Sequence, residues 1–288
     1  MSVRGVLGSV LVASAVAAGS WLDPGDARST GSWQILEADL HVHPYPGDGA
    51  LSIPQLRREA ARRGLDVIAV TAHNNRLALS GAGRSSRSEE VIVIPGQEIT
   101  APLYHLVAIG TDELIDWRLS VREAIAAVHA QGGIAIAAHP VESSWKDPDA
   151  DALRLLDGAE VAHPGQWRRE RDEYLEFYRR VLAVNPDVAP IGSSDFHTSA
   201  PLGYCRTYIL TDDRSAAGVM EAIRQGRTVA RRPNGRLHGS DTHKAQVERY
   251  LAARGPIPHP TAGERAAVLF ALSGLALLSW PRRRSQPQ

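Results

Sequence analysis

Between Ile35 and Arg232, short apolar runs alternate with amphipathic stretches that carry helix start and stop signals. That alternation limits the chain to a few architectures. "DVIAVTAH" (66–73) is an almost continuous apolar run, as expected of a parallel strand covered on both faces. "ILEADLHVH", "VIVIPGQEIT", "HLVAIG", "IAIAAHP", "GAEVAHP", "VAPIGSSDFH", "YCRTYILT" and "RTVARR" read as further strands. Between them "SIPQLRREAARRG" reads as a helix with Ser52 as N-cap, Gln55 three residues on, Pro54 in the first turn and Gly64 as the stop. "SVREAIAAVHAQGG", "QWRRERDEYLEFYRRVLA" and "SAAGVMEAIRQG" are also helical. Strands alternating with helices predict βαβ units and a mainly parallel sheet. Seven or so strands predict a TIM-like barrel, distorted or incomplete, with an open doubly wound sheet as the alternative. No G-x-G-x-x-G or Walker pattern follows a strand, which argues against a nucleotide-binding sheet.

The two ends differ from this body. "VRGVLGSVLVASAVAAGSW" predicts a signal peptide or N-terminal anchor over residues 1–22. "AAVLFALSGLALLSW" predicts a C-terminal membrane segment over 266–281, although a full span takes roughly 20 residues. Trp280 suits a membrane interface, and Arg282, Arg283 and Arg284 in the basic tail (282–288) favour the cytoplasmic side. The domain at 33–232 is then expected outside the cytoplasm, membrane-anchored or secreted. The Pro-, Gly- and His-bearing stretch 233–265 reads as a linker with a short helix in "DTHKAQVERYLAARG". A formal net charge of zero does not suggest a stable nucleic-acid partner. The single cysteine, Cys205, excludes an internal disulfide and a cysteine-based zinc cluster.

The chemistry concentrates at the ends of strands. Residues two apart on a strand share a face, so His41 and His43 of "DLHVHPYPGDG" point together. The turn formed by Pro44, Pro46, Gly47 and Gly49 can return Asp48 over them. "VTAH" ends the next strand at His73, "PGQEIT" carries Glu98, "HLVAIG" begins with His105, and "IAAHP" ends at His139. "GSSDFH" places Asp195 and His197 two apart. In a parallel barrel these ends open onto one rim, where sites are built. Six histidines and three carboxylates converging there suit Zn, Mn or Fe.

Taken together, "DLHVH", "DVIAVTAHN", "PGQEIT", "HLVAIG", "AIAAHP" and "GSSDFH" resemble the motifs of the PHP (polymerase and histidinol phosphatase) family from about Leu36 to Arg232. The resemblance implies a distorted (β/α)7 barrel and two or three divalent ions. It also implies hydrolysis of a phosphoester, from a small molecule or an oligonucleotide, with metal-activated water. Carried over by position, His41, His43, Glu98 and Asp195 resemble the ligands of one ion. Glu98 would bridge to a second ion held by His105 and His139, and Asp48, His73 and His197 would hold a third. Asp195 or His197 would assist proton transfer. One departure is Ala72, where the family's second motif has an acid, with Asn74 or Asn75 as substitutes. The segment 200–230 resembles the exported carbaryl-hydrolase-like branch, which keeps a carbamate or amide ester as the alternative substrate. A non-catalytic metal-binding sensory domain is a further alternative, opposed by the near-complete ligand set.

Other residues carry weaker signals. His163 in "VAHPG" follows a strand and is a candidate substrate contact, as is Arg76 after the second strand. His129 lies within a helix and reads as structural, and His238, His243 and His259 fall in the presumed linker. Ser193 and Ser194 lack the surroundings of a nucleophile elbow, which argues against a serine mechanism.

Overall fold

The computed structural model describes residues 29–30, 33–75, 91–146, 150–165, 172–198 and 200–254. Its sheet strands are β1 (Ser29–Thr30), β2 (Trp33–Val42), β3 (Val67–His73), β4 (Ile92–Thr100), β5 (His105–Ile109), β6 (Ile134–Ala137), β7 (Gly158–Ala162), β8 (Ala189–Gly192), β9 (Arg206–Thr211), β10 (Thr228–Arg231) and β11 (Leu237–His238). The helices are α1 (Ile53–Arg62), α2 (Val121–Ala130), α3 (Ala150–Arg154), α4 (Glu173–Leu182), α5 (Ala216–Arg224) and α6 (Asp241–Arg254). The strands run β11-β10-β9-β2-β3-β4-β5-β6-β7-β8 across one sheet, with β1 paired to β2.

The sheet curls into a nearly closed barrel. Leu36, Leu40, Ala69, Ile94, Ile109, Ile136, Ile191 and Ile209 come from seven different strands yet form one buried cluster, so they line the barrel interior. Val219, Ala222 and Ile223 of α5 join the same cluster. The seam between β8 and β9 is closed by side chains: Thr207 Oγ1 accepts from Gly192 N and donates to Gly192 O, both at 2.9 Å. Only glycine permits that approach, since a Cβ at Gly192 would stand 2.4 Å from Arg206 O. A second layer lies outside the strands, where Ile53, Leu56 and Ala60 of α1 pack on Ile68, Val70 and Ala72. The expected cap is present, with Gln55 Oε1 accepting from Ser52 N at 2.9 Å.

Three expectations are corrected. The sheet is mixed rather than mainly parallel: β2–β3, β3–β4, β6–β7 and β7–β8 are parallel, whereas β4–β5, β5–β6, β2–β9 and β9–β10 are antiparallel. Residues 101–104 are too few for a crossover, so β5 must turn back on β4. Among the described residues the sheet has eleven strands rather than about seven, with the two-residue β1 and β11 at its margins. The segment from Pro233 to Arg254, read as a linker with a short helix, does carry that helix as the fourteen-residue α6, but together with β11, paired to β10, it is part of the folded unit. Val247 and Tyr250 of α6 bury against Ile35, Tyr208, Leu210 and Val229, so the compact unit runs to Arg254.

At that end, burial of charge is matched by pairing. Glu37, fully buried, meets Arg206 and Arg254 and accepts from Tyr250 Oη at 3.0 Å. No helix of the described residues is long and apolar enough to cross a membrane. Both apolar termini and Arg76 lie outside the described residues.

Candidate metal centre

The centre begins with an irregularity in β2. Ala38 and Asp39 pair with Val67 and Ile68, but Val42 pairs with Val70, so β2 holds one extra residue there. Before this bulge Leu36, Ala38 and Leu40 face the barrel core, leaving Glu37 and Asp39 on the opposite face. After it His41 and His43 both face inward and are fully buried.

Three nests of possible ligand atoms result, each with its atoms within 4.8 Å of one another. In the first, His41 Nε2 and His43 Nε2 stand 3.0 Å apart. Asp195 Oδ1 lies 3.3 and 3.1 Å from them, and Glu98 Oε2 3.4 Å from each. In the second, Glu98 Oε1 lies 3.1 Å from both His105 Nδ1 and His139 Nε2. In the third, Asp48 Oδ2 lies 3.2 Å from His73 Nε2 and 3.1 Å from His197 Nε2, and Asp48 Oδ1 lies 3.3 Å from His43 Nδ1. All nine residues singled out by the sequence thus come together. His43 belongs to the third nest as well as the first. His105 reaches the rim from the start of β5, because that strand is antiparallel to β4. The return of Asp48 depends on Gly49, where a Cβ would collide with His43 O at 1.8 Å.

The donor set fits a cation. His41 Nδ1 lies 2.9 Å from Glu160 Oε1, an acceptor, so that nitrogen carries the proton. His41 Nε2 then presents a bare lone pair towards His43 Nε2 and two carboxylates. Among the described residues, His43 Nδ1, Glu98 Oε2 and Asp195 Oδ1 are buried beside ring nitrogens and carboxylates at 2.8–3.4 Å, yet none of these contacts has hydrogen-bond geometry. Buried orphans of this kind are rare in folded proteins, and an ion is one resolution. The electrostatics agree. Burial pushes His41 down, but Asp195, Glu160 and Glu98 reverse this and hold it well above the usual imidazole range. Burial pushes Glu98 and Asp195 up, and the imidazoles, His41 foremost, hold both well below the usual carboxylate range. The centre calls for positive charge.

Local backbone strain supports the same place. His139 and Asp195 adopt φ of +26° and +46°, in the left-handed region. Such conformations cost on the order of 1–3 kcal/mol each and persist where surrounding contacts over-determine them. Asn74, at φ +43°, joins β3 to β4 by pairing its side chain with Thr100 N and O. Ala72, by strand alternation, faces the apolar layer under α1 and not the centre. His73 Nδ1 is instead met by Thr100 Oγ1 at 2.7 Å and Glu98 Oε2 at 2.8 Å.

His163 reaches the centre too. Gly165 N–H donates to its Nδ1 at 3.0 Å, so the proton sits on Nε2, which faces Asp195 Oδ2 at 3.4 Å. Tyr174 Oη adds a contact to Nδ1 at 3.1 Å. An open cleft of about 570 Å³, lined by His105, His139, Ser144, His163, Tyr174 and Asp195, gives access from this side.

Two buried acids were not anticipated. Glu160 meets His41, Ser193 Oγ and His139 N; burial pushes its carboxyl up, but the neighbouring imidazoles, His41 foremost, outweigh this and bring it down to about 2. Asp39 accepts from Ser194 N at 3.0 Å, Ser194 Oγ and Gly203 N at 2.7 Å. The available signal was acidic residues inside apolar strands, one in "GAEVA" and two in "EADL". His129 is structural as expected, bonding Asp157 Oδ2 at 2.8 Å from α2.

A nearly closed α/β barrel with a histidine- and carboxylate-rich centre on its rim defines a class of barrel metalloproteins. A family model described as PHP-associated matches residues 182–228. An uncharacterized protein of Methanocaldococcus jannaschii is 33% identical over 141 residues, 44% of this chain and 81% of that protein. A phosphoribosyl 1,2-cyclic phosphate 1,2-diphosphodiesterase of Eggerthella lenta is 31% identical over 81 residues, 26% of this chain and 31% of that protein. A two-domain Bacteroides vulgatus protein, described as containing a predicted PHP-like metal-dependent phosphoesterase, shares the fold with TM-score 0.60 at 22% identity, over 80% of this chain and 74% of that one. The chain is thus similar to PHP proteins, with the PHP-associated match confined to residues 182–228 and the fold shared more widely. These likenesses do not distinguish the carbaryl-hydrolase-like branch.

Proposed function

We propose that the protein is a metal-dependent hydrolase of phosphoesters. The observation that carries this reading is the overlap of three ligand nests, with Glu98 and His43 each shared by two of them. Divalent ions held there would lower the pKa of a water and neutralise phosphoryl oxygens.

The chain's own residues do the rest. Glu98, shared by the first two nests, and His43, shared by the first and third, would hold neighbouring ions close together. Asp48, whose side chain is 46% exposed, closes the outer nest at the solvent edge. The cleft beside His105, His139 and His163 admits the ester. Of the two residues expected to assist proton transfer, His197 has its Nδ1 facing Asp195 O at 3.0 Å, which commits that proton and leaves Nε2 to Asp48. Asp195 Oδ2 lies under the Nε2 proton of His163, so proton delivery to the leaving oxygen is assigned to the Asp195–His163 pair.

The test is metal content of the purified full chain alongside turnover of bis-nitrophenyl phosphate, nitrophenyl phosphate, nitrophenyl acetate and a nitrophenyl carbamate. Phosphoester turnover that disappears on chelation and exceeds acyl turnover is expected. Full activity without metal, or faster carbamate turnover, overturns the reading. The basic flanks of the two apolar ends support the further proposal that the catalytic domain lies on the extracytoplasmic side.

A further inference from the structure

Glu160 touches three of the segments that build the centre. It sits in β7, fully buried, and is no candidate ligand itself. Its Oε1 accepts from His41 Nδ1 at 2.9 Å and from Ser193 Oγ. Its Oε2 accepts from the backbone N–H of His139 at 2.6 Å. One carboxylate therefore binds the end of β2, the turn after β6 and the loop after β8. A histidine whose outer nitrogen donates to a carboxylate is fixed in ring orientation and in the tautomer that presents its other nitrogen inward. His139 lies two residues past the end of β6 with φ +26°, and its amide is held in that strained turn by the same carboxylate. Ser193 lies two residues before Asp195, itself at φ +46°. The next serine, Ser194, is clamped from the other side by Asp39. The serine pair of "GSSDFH" thus has a mechanical reading: each hydroxyl ties the loop that aims Asp195 to a buried acid.

We propose that Glu160 is a positioning residue. It orients His41 directly, His139 through its amide, and Asp195 through Ser193, so that one carboxylate sets the geometry of the first two nests together. The proposal rests on the reading that these residues hold metal, and its test uses binding rather than turnover.

The experiment titrates the metal-free full chain with Co(II), following the visible ligand-field bands, and measures zinc affinity by competition with a chelating dye. Glu160→Gln keeps shape and volume while placing an amide NH₂ where one of the donors now points. It is expected to keep the far-UV circular dichroism of the parent, to lower zinc affinity by about 10–100-fold, and to shift the Co(II) bands. Ser193→Ala, which removes one of the three links and leaves His41 and His139 held, is expected to shift the same bands less. A merely structural glutamate would alter folding without changing the bands of the folded fraction. A folded Glu160→Gln with parental bands and parental affinity overturns the proposal. If Glu160→Gln does not fold, Ser193→Ala decides, and parental bands there overturn it. A parent chain that binds neither Co(II) nor zinc overturns the metal reading itself, a result distinguishable from the other two.

Discussion

His41 and His43 face each other through Nε2 atoms 3.0 Å apart, with both rings fully buried. Both rings are shut off from bulk solvent, and His41 spends its one neutral-state proton on Glu160. Two imidazole lone pairs and two carboxylate oxygens then converge on one point. Without a cation this arrangement is costly, because buried polar groups left unpaired lose on the order of 1–3 kcal/mol each.

The sharing of ligands leads to unequal losses of metal. The parent chain should hold two or three ions, one for each nest occupied. Glu98→Ala touches two nests and should remove more than one ion, together with activity. Asp48→Ala touches only the outer nest and should remove a single ion. Elemental analysis of the purified variants checks this, and equal losses from the two would contradict the shared-ligand geometry.

Removal of Arg206 should destabilise the layer where α6 packs on the outside of the barrel. Its side chain is 5% exposed and pairs with Glu37, which is fully buried. Arg206→Ala strands that carboxylate with Arg254 and Tyr250 as its remaining partners. A broken buried pair typically costs ~3–5 kcal/mol. Urea denaturation of metal-free protein measures it, and a loss below about 1 kcal/mol, the range of surface pairs, would show that the remaining partners suffice.

Acid should weaken the fold through His238. Burial first, then the nearby Arg232, push it down from its ordinary 6.5 to about 4. Its folded pKa is therefore below its unfolded one. As pH falls from about 6.5 to about 4, the unfolded chain takes up a proton that the folded chain refuses, and stability declines across that window. Below about 4 both states are protonated and this contribution is constant. His238→Asn should flatten that part of the stability profile relative to the parent. An unchanged difference between pH 7 and pH 4.5 would count against it.

Placement of the domain outside the cytoplasm is tested by reporter fusions. An alkaline phosphatase fused after Ser20 should be active in a bacterial host, and one fused after Gln288 should be inactive. The reverse pattern at either site rejects the topology drawn from Arg4 and Arg282–Arg284.

The sequence by itself determined the identity of the nine candidate ligands and the alternation that sends them to strand ends. Those are local properties: His41 and His43 share a face because strands repeat every two residues, and Asp48 returns because glycines permit a tight turn. Tertiary structure alone decided the rest. The bulge that turns His41 and His43 towards the centre, rather than leaving them on the face of Glu37 and Asp39, arises from pairing with β3 and has no local signature. The reversal of β5, which delivers His105 from a strand's beginning, depends on which neighbour it joins. Glu160 and Asp39 became meaningful only once β7, β2 and the loop after β8 were adjacent, because a buried carboxylate is explained by its partners and those lie 119 and 155 residues away in sequence. The helix α6 was legible in "DTHKAQVERYLAARG", but its place in the domain was not, because its polar composition hides Val247 and Tyr250, two apolar contacts that matter only against a barrel wall already in place.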